Sequence, residues 1–367
     1  MQGRKTTLLR ARQRAIRLVD VAKAAGVSRW SAGYVLNGGV GRSRVSGRTA
    51  IRIREVAKEM NYRPHYAARQ LRGKRSRTLG VLVASAGDPL RSFLVQFLDA
   101  EAVNVGCRTF IANTIGNPNV GPDQFDFHVE EFTRRGVDGV LCAVHHWFHG
   151  DRQALLERHP NTVFYEDPGI RGAAYVTVSR EEAVRIAVRH LISRGRRRIG
   201  LAVMDLSRPT GEARRRGYER ELTAHDLSTQ QGLVFNGKSF GLAYAKCNEE
   251  TGRWEFPHAL MDQVIEALVV EQKADAIVAH DDFWAAAIMR RLHAQGIHVP
   301  QDIAVVGYLN HYLADWVDPP LTTVDLEHRT AAQRMIDMVE KMITGETLTD
   351  AERVGVVQPK LIVRDSS

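Results

Sequence analysis

Hydrophobic residues near the start of the chain recur at helical spacing. Leu18, Val21, Ala22 and Ala25 fall three or four positions apart, the repeat of one face of an α-helix. Gly26 breaks that run, and Ser28 supplies a side-chain cap for a second helix over 29–36. Asn37-Gly38-Gly39 ends it. A polar loop leads to Ser46, another cap, and a third helix carries Ile53, Val56, Ala57 and Met60 on one face. Pro64 disfavours helix in the residue before it, so the compact helical unit spans 16–63. A further one or two helical turns over 65–72 and a Gly-Lys-Arg-Ser linker give a connecting segment over 64–77.

From Thr78 the pattern changes to short apolar runs alternating with amphipathic stretches. Strands are expected at 79–84, 107–112, 138–144, 162–166, 198–204, 275–280 and 302–308. Helices are expected at 92–104, 123–135, 180–194, 212–225, 258–272, 282–295 and 327–344. Strand–helix alternation of this kind gives parallel sheets with helices on both faces. Over residues 78–367 it implies two α/β lobes with a cleft between them, and ligands in such folds sit beyond the carboxyl ends of the strands.

Charge sharpens the division. The chain has 367 residues and a net charge of +9. Residues 1–77 hold 20 Lys and Arg against three acids, a balance of +17, which leaves −8 on the remaining 290. A basic module on an acidic body is suited to a polyanion, through release of condensed counterions. Residues 1–15 read as a flexible basic arm. No apolar run approaches the roughly 20 residues of a membrane span, and no signal peptide is evident, so a cytoplasmic, nucleoid-associated location is expected. Three dispersed cysteines, Cys107, Cys142 and Cys247, give neither a disulfide framework nor metal spacing. His145, His146 and His149 lie in a loop without the regular spacing of a zinc site. No cofactor is expected. There is no P-loop, HExxH or GxSxG elbow, which argues against an enzyme, and the basic headpiece argues against an exported binding protein.

Segment 18–37, LVDVAKAAGVSRWSAGYVLN, reads as a helix-turn-helix. Ala22 and Ala25 allow two helices to approach, Gly26 turns the chain, and Val21, Val27 and Val35 close a small core. Arg29 and Trp30 then project from the first turn of the second helix, with Tyr34 one turn on. Arginine donates a fork of hydrogen bonds to guanine, and tryptophan offers an apolar face to thymine methyls or sugars.

The order and spacing of DVAKAAGVS (20–28), VLN (35–37), VSGRT (45–49), NYRPHYAARQLRGKRS (61–76) and TLGVLV (78–83) resemble the LacI/GalR family of bacterial transcriptional regulators. The likeness continues through RRRIGLAV (196–203), RRRGY (214–218), AIVAHDD (276–282), GIHVPQDIAVVGY (296–308) and PPLTTVD (319–325). It implies an all-α helix-turn-helix headpiece joined to a two-lobed, periplasmic-binding-protein-like core. It further implies a homodimeric repressor of double-stranded, pseudo-palindromic operator DNA, controlled by a small-molecule effector such as a sugar.

At matching positions Arg29, Trp30 and Tyr34 would read bases, and Ser28, Ser31, Asn37 and Ser46 would lie near phosphates. Tyr66, Arg69, Leu71 and Arg72 would belong to a hinge helix, with Leu71 wedged into the minor groove. Arg214 would be the pocket arginine, with His280, Asp281 and Asn310 beside it and Asp88, Leu90 and Arg91 lining the cleft. Glu166, Asp167 and Trp254 are weaker candidates. Several departures stand out. Arg17 replaces the usual Ser/Thr cap of the first helix, and Arg42 and Arg44 occupy the loop after the second. Leu309 stands where an acid often follows Gly-Tyr, and His280 replaces an amide, which would make the pocket pH-sensitive.

Overall fold

The computed structural model describes residues 16–36, 45–62, 75–84, 89–114, 124–144, 151–227, 233–240, 246–247, 254–255 and 258–367. The chain divides into two compact units, Met1–Ser76 and Arg77–Ser367.

In the first unit, helices α1 (Leu18–Ala24), α2 (Arg29–Leu36) and α3 (Gly47–Glu59) surround a small core of Ala22, Ala25, Ala32, Val35 and Ile53. Alanines at three of those five places let the helix backbones come close. Val21, also fully buried, adds to the interior. The turn between α1 and α2 needs Gly26, whose φ is +62, a region that costs any residue with a Cβ roughly 1–2 kcal/mol. The missing Ser/Thr cap of α1 is offset from the third helical position, where Asp20 Oδ2 accepts a hydrogen bond from Arg17 N at 2.8 Å.

The second unit is built on two six-stranded sheets. Strands β1 (Thr78–Val83), β2 (Arg108–Asn113), β3 (Gly139–Ala143), β4 (Thr162–Tyr165), β5 (Ala174–Val178) and β13 (Val354–Val357) form the first, in the order β13-β5-β4-β3-β1-β2. Every pairing in it is parallel. Helices α4 (Pro89–Asn104), α5 (Phe125–Arg135), α6 (Arg152–Arg158) and α11 (His328–Thr344) accompany it.

The second sheet has the order β14-β12-β11-β10-β6-β7, from β6 (Ile199–Val203), β7 (Val234–Asn236), β10 (Ala276–Val278), β11 (Ala304–Tyr308), β12 (Thr322–Asp325) and β14 (Lys360–Ile362). It is parallel apart from the β12–β14 pair. Its helices are α7 (Arg180–Ser193), α8 (Pro209–Ala224), α9 (His258–Ile265) and α10 (Asp282–Ala294). A two-strand ribbon, β8 (Lys246–Cys247) and β9 (Trp254–Glu255), pairs with neither sheet.

The chain passes between the sheets after β5, after β12 and after β13. Those passages bring the carboxyl ends of strands from both lobes to one place. Each strand expected from the apolar runs is present within a residue or two at either end, or as a shorter core of the run. Strands β5, β7, β12, β13 and β14 and helix α6 were not anticipated. The helix expected over 258–272 becomes a π-helix at Glu266–Glu271.

Helices α7 and α8 pack so closely that a Cβ on Gly217 would lie 2.2 Å from the Glu181 carbonyl oxygen. Buried Glu221 fastens the same pair, accepting from Arg185 Nε at 3.0 Å and Arg189 Nε at 2.7 Å. Among the described residues, no helix is long and apolar enough to cross a membrane, and no His/Cys/Asp/Glu group is arranged to hold a metal ion. Cys107 and Cys142 are buried thiols. The three loop histidines at 145, 146 and 149 lie outside the described residues.

Candidate DNA-reading face and effector site

The first turn of α2 is laid out by hydroxyls. Ser28 Oγ accepts from Ser31 N at 3.1 Å and is 2.9 Å from Ser31 Oγ, so one serine caps the helix and fixes the other. Ser46 does the same for α3, accepting from Thr49 N at 3.3 Å. Ala32 and Val35 point into the headpiece core, which leaves the opposite face of α2 to Arg29 and Trp30, with half-buried Tyr34 packed at the edge of that core. Trp30 is 62% exposed. Its ring stacks on Tyr34 with centroids 5.4 Å apart and planes 17° from parallel. A large aromatic held in water by another aromatic, beside an exposed arginine, is a surface shaped for a partner. Asn37, Arg42, Arg44, Tyr66, Arg69, Leu71 and Arg72 lie outside the described residues.

In the second unit the polar centre forms where strands from both lobes end. Arg214, on α8, is buried and donates from Nη1 to the His280 carbonyl oxygen at 2.7 Å and to His280 Nδ1 at 3.0 Å. Its guanidinium carbon sits 3.9 Å from the centroid of the Tyr308 ring, a cation–π contact. Met204 N also donates to His280 Nδ1, at 3.3 Å. Two donors aimed at Nδ1 place the imidazole proton on Nε2. Burial, then the charges of Arg214 and Arg180, hold the His280 pKa well below the usual histidine range. The expectation of a pH-sensitive pocket at His280 is therefore reversed: the ring stays neutral, because its protonated form would sit desolvated beside two cations.

The first lobe contributes Glu166, one residue past β4, and the crossing after β5 delivers Arg180, the first residue of the second-sheet helix α7. Arg180 Nη2 donates to Glu166 Oε1 at 2.8 Å. The two side chains are 12% and 9% exposed. Glu166 adopts φ +78, left-handed backbone in a residue that disfavours it, which is strain held where the ion pair forms. Burial opposes the Arg180 charge, yet the neighbouring Tyr308, Tyr165 and Glu166 outweigh it and raise its pKa. Tyr308, at the end of β11 in the second lobe, is thus a neighbour of both guanidiniums.

Beside this centre, Asp282 shapes the loop after β11. It is fully buried and accepts from Tyr308 N at 2.8 Å, from His311 N at 2.6 Å and from the Thr323 hydroxyl. Burial pushes its carboxyl up to about 6, against the pull of those donors.

Two segments match family models, Bacterial regulatory proteins, lacI family over residues 17–65 and Periplasmic binding protein-like domain over 188–367. The chain thus carries a lacI-family DNA-binding region followed by a periplasmic-binding-protein-like domain. The HTH-type transcriptional repressor PurR of Vibrio atlanticus is 26% identical over 351 residues, 95% of this chain and 97% of that protein. PurR of Mannheimia succiniciproducens is 24% identical with the same coverage. The lac repressor dimer bound to operator and the anti-inducer ONPF superposes with a TM-score of 0.76 over 96% of this chain and 99% of that one, at 22% identity. The transcriptional regulator CelR in complex with cellobiose gives 0.64 over 96% and 100%, at 24% identity. With this pair of regions the chain is a DNA-binding transcriptional regulator, and the reading of it as a regulator rather than an enzyme agrees with the repressors it resembles.

The structure places the residues singled out from sequence unevenly. Arg214 and His280 meet directly. Asp281 is fully buried and caps α10, its Oδ1 accepting from Trp284 N at 2.8 Å. Asn310 uses both ends of its amide in local structure: Nδ2 donates to Asp325 Oδ2 at 2.9 Å, and Oδ1 accepts from Arg364 Nη2 at 3.1 Å. Leu90 and Arg91 fall in the first turn of α4, while Asp88 lies outside the described residues. Trp254 belongs to the two-strand ribbon, which pairs with neither sheet.

Arg180 and Asp282 were missed as site residues. Arg180 closely follows β5, a five-residue strand, and no local pattern marked its helix as starting beside Glu166. Asp282 sits next to Asp281 in sequence, and only the fold shows that it gathers β11 and β12.

Proposed function

We propose that this chain is a repressor that binds a pseudo-palindromic operator as a homodimer and is controlled by a small molecule held between Arg214, His280 and the Glu166–Arg180 pair. Arg29, Trp30 and Tyr34 read base edges in the major groove. Ser28, Ser31, Ser46 and Asn37 position the headpiece on phosphates. The segment Tyr66–Arg72 orders on DNA, with Arg69 and Arg72 on the backbone and Leu71 as a minor-groove wedge. The observation that carries the DNA-reading half is exposed Trp30, stacked on Tyr34 and next to Arg29 in the chain, on a helix whose opposite face is the headpiece core. A single recognition helix spans few base pairs, so useful affinity calls for two symmetric half-sites.

Selection of bound duplexes from a random pool tests this. An inverted repeat should emerge, and Arg29→Ala should relax preference at one position in each half. Equal recovery of all sequences at moderate salt would overturn the reading.

For the effector, the resemblance suggests a sugar or a related polar metabolite. Asp281 and Asn310 act there in support of the site, since their side chains are engaged in holding α10 and the C-terminal segment. Asp88, Leu90 and Arg91 belong to the first-lobe wall. The protein works in the cytoplasm, on the nucleoid.

A further inference from the structure

Arg180 and Arg214 are both buried, but their charges are met unequally. Arg180 has Glu166 in direct ion-pair contact. Among the described residues Arg214 has no such carboxylate. Its acceptors are a carbonyl oxygen, a neutral imidazole nitrogen and the face of an aromatic ring. Asp281 acts on it only at longer range, with Oδ1 committed to the start of α10. The Nε of Arg214 and the Nε of Arg180 are both buried without a hydrogen-bond partner. Trp284, packed 5.3 Å from the His280 ring, has a buried Nε1 in the same condition.

An isolated guanidinium out of water is costly, by several kcal/mol per ion even after relaxation. With spare buried donors and one guanidinium that touches no carboxylate, the site lacks a negatively charged acceptor at hydrogen-bond distance from Arg214. A neutral polyol brings donors and acceptors in equal number and no charge. A carboxylate or phosphate brings acceptors alone, in a geometry that matches the arginine fork.

We propose that the effector of this site carries an oxyanion, a carboxylate or a phosphate, that completes the Arg214 charge pair, with Arg180 as the second guanidinium at the same tyrosine. The proposal rests on the reading of the Arg214 site as the effector site. The chemistry selected is therefore an anionic metabolite over its neutral parent.

The test follows thermal unfolding of the full chain at fixed ionic strength. Acetate and inorganic phosphate serve as anionic probes, and glucose and adenine as neutral ones. One or both anions should raise the midpoint saturably, by roughly 5 °C at high occupancy, and which of them does so tells carboxylate from phosphate recognition. Arg214→Met should abolish that rise. This comparison also removes any contribution from anions on the basic headpiece, which keeps its charge in the variant. Should Arg214→Met not fold, Arg214→Lys keeps the cation without the fork, and its anion response should weaken about ten-fold.

An anion response equal in wild type and variant, or absent from both, overturns the proposal. A rise with glucose or adenine that depends on Arg214, with none from the anions, overturns it while leaving the site an effector site. No response of either class that depends on Arg214 removes both.

Discussion

Arg29 and Arg214 carry the same guanidinium into opposite surroundings, one at the start of a solvent-facing helix and the other under the Tyr308 ring. The exposed cation costs little to maintain and keeps its donor fork open to a base edge, while its attraction to a nearby polyanion falls with salt. The buried one is held at a desolvation cost, and its preference for a charged partner is correspondingly strong and short-ranged. One molecule thus uses a single residue type for two tasks. On the proposed reading, arginines in water meet the operator, and arginines out of water discriminate among small molecules.

Breaking the buried half should have the largest effect on stability. Glu166→Gln leaves Arg180 buried without its ion pair and should cost about 3–5 kcal/mol in urea unfolding, whereas Glu166→Gln with Arg180→Met should recover most of it. An unchanged midpoint in the single variant would mean that water already screens the pair.

Asp282 sharpens the same point through pH. Its carboxyl is raised in the fold to about 6 from the ordinary 3.8, so the folded state holds a proton that the unfolded chain releases. Stability from this group is therefore present at low pH and lost as pH rises from about 4 to 6, by at most about 3 kcal/mol. The difference in unfolding free energy between wild type and Asp282→Asn, measured across that window, should follow this slope. A flat difference would place the Asp282 titration elsewhere.

The exposed half should respond in the reverse sense. Arg29→Ala should leave the unfolding midpoint within about 0.5 kcal/mol but weaken binding to a selected operator by about 1–3 kcal/mol. Mobility-shift titration at two salt concentrations separates base reading from phosphate attraction, because only the latter alters the salt slope. The smallest effect belongs to the cap of α3: Ser46→Ala should cost the headpiece about 1 kcal/mol by melting curve.

Much of the second unit was legible because its central strands are buried on both faces and stand out as apolar runs. Residues 79–84, 138–144 and 302–308 are of this kind. The strands that escaped are short or lie towards the edges. Val354–Val357 alternates exposed and buried residues over four positions and pairs with Ala174–Val178, a partner far back in the chain. No local pattern announces a pairing of that range. At the DNA-reading face, the Ser28 and Ser46 caps and the outward Arg29 and Trp30 followed from helical periodicity alone. The stacking of Trp30 on Tyr34 follows from their spacing of four.

The sequence by itself determined the helix-turn-helix, the basic-to-acidic division of the chain and the alternation that makes parallel sheets, because each depends on neighbours within a few residues. Only the tertiary structure decided that Arg180 comes to Glu166, that His280 is neutral beneath Arg214, and that Asn310 is spent on Asp325 and Arg364. Protonation and pairing in a buried site are set by which distant groups share a low dielectric, and chain crossings between lobes choose those groups.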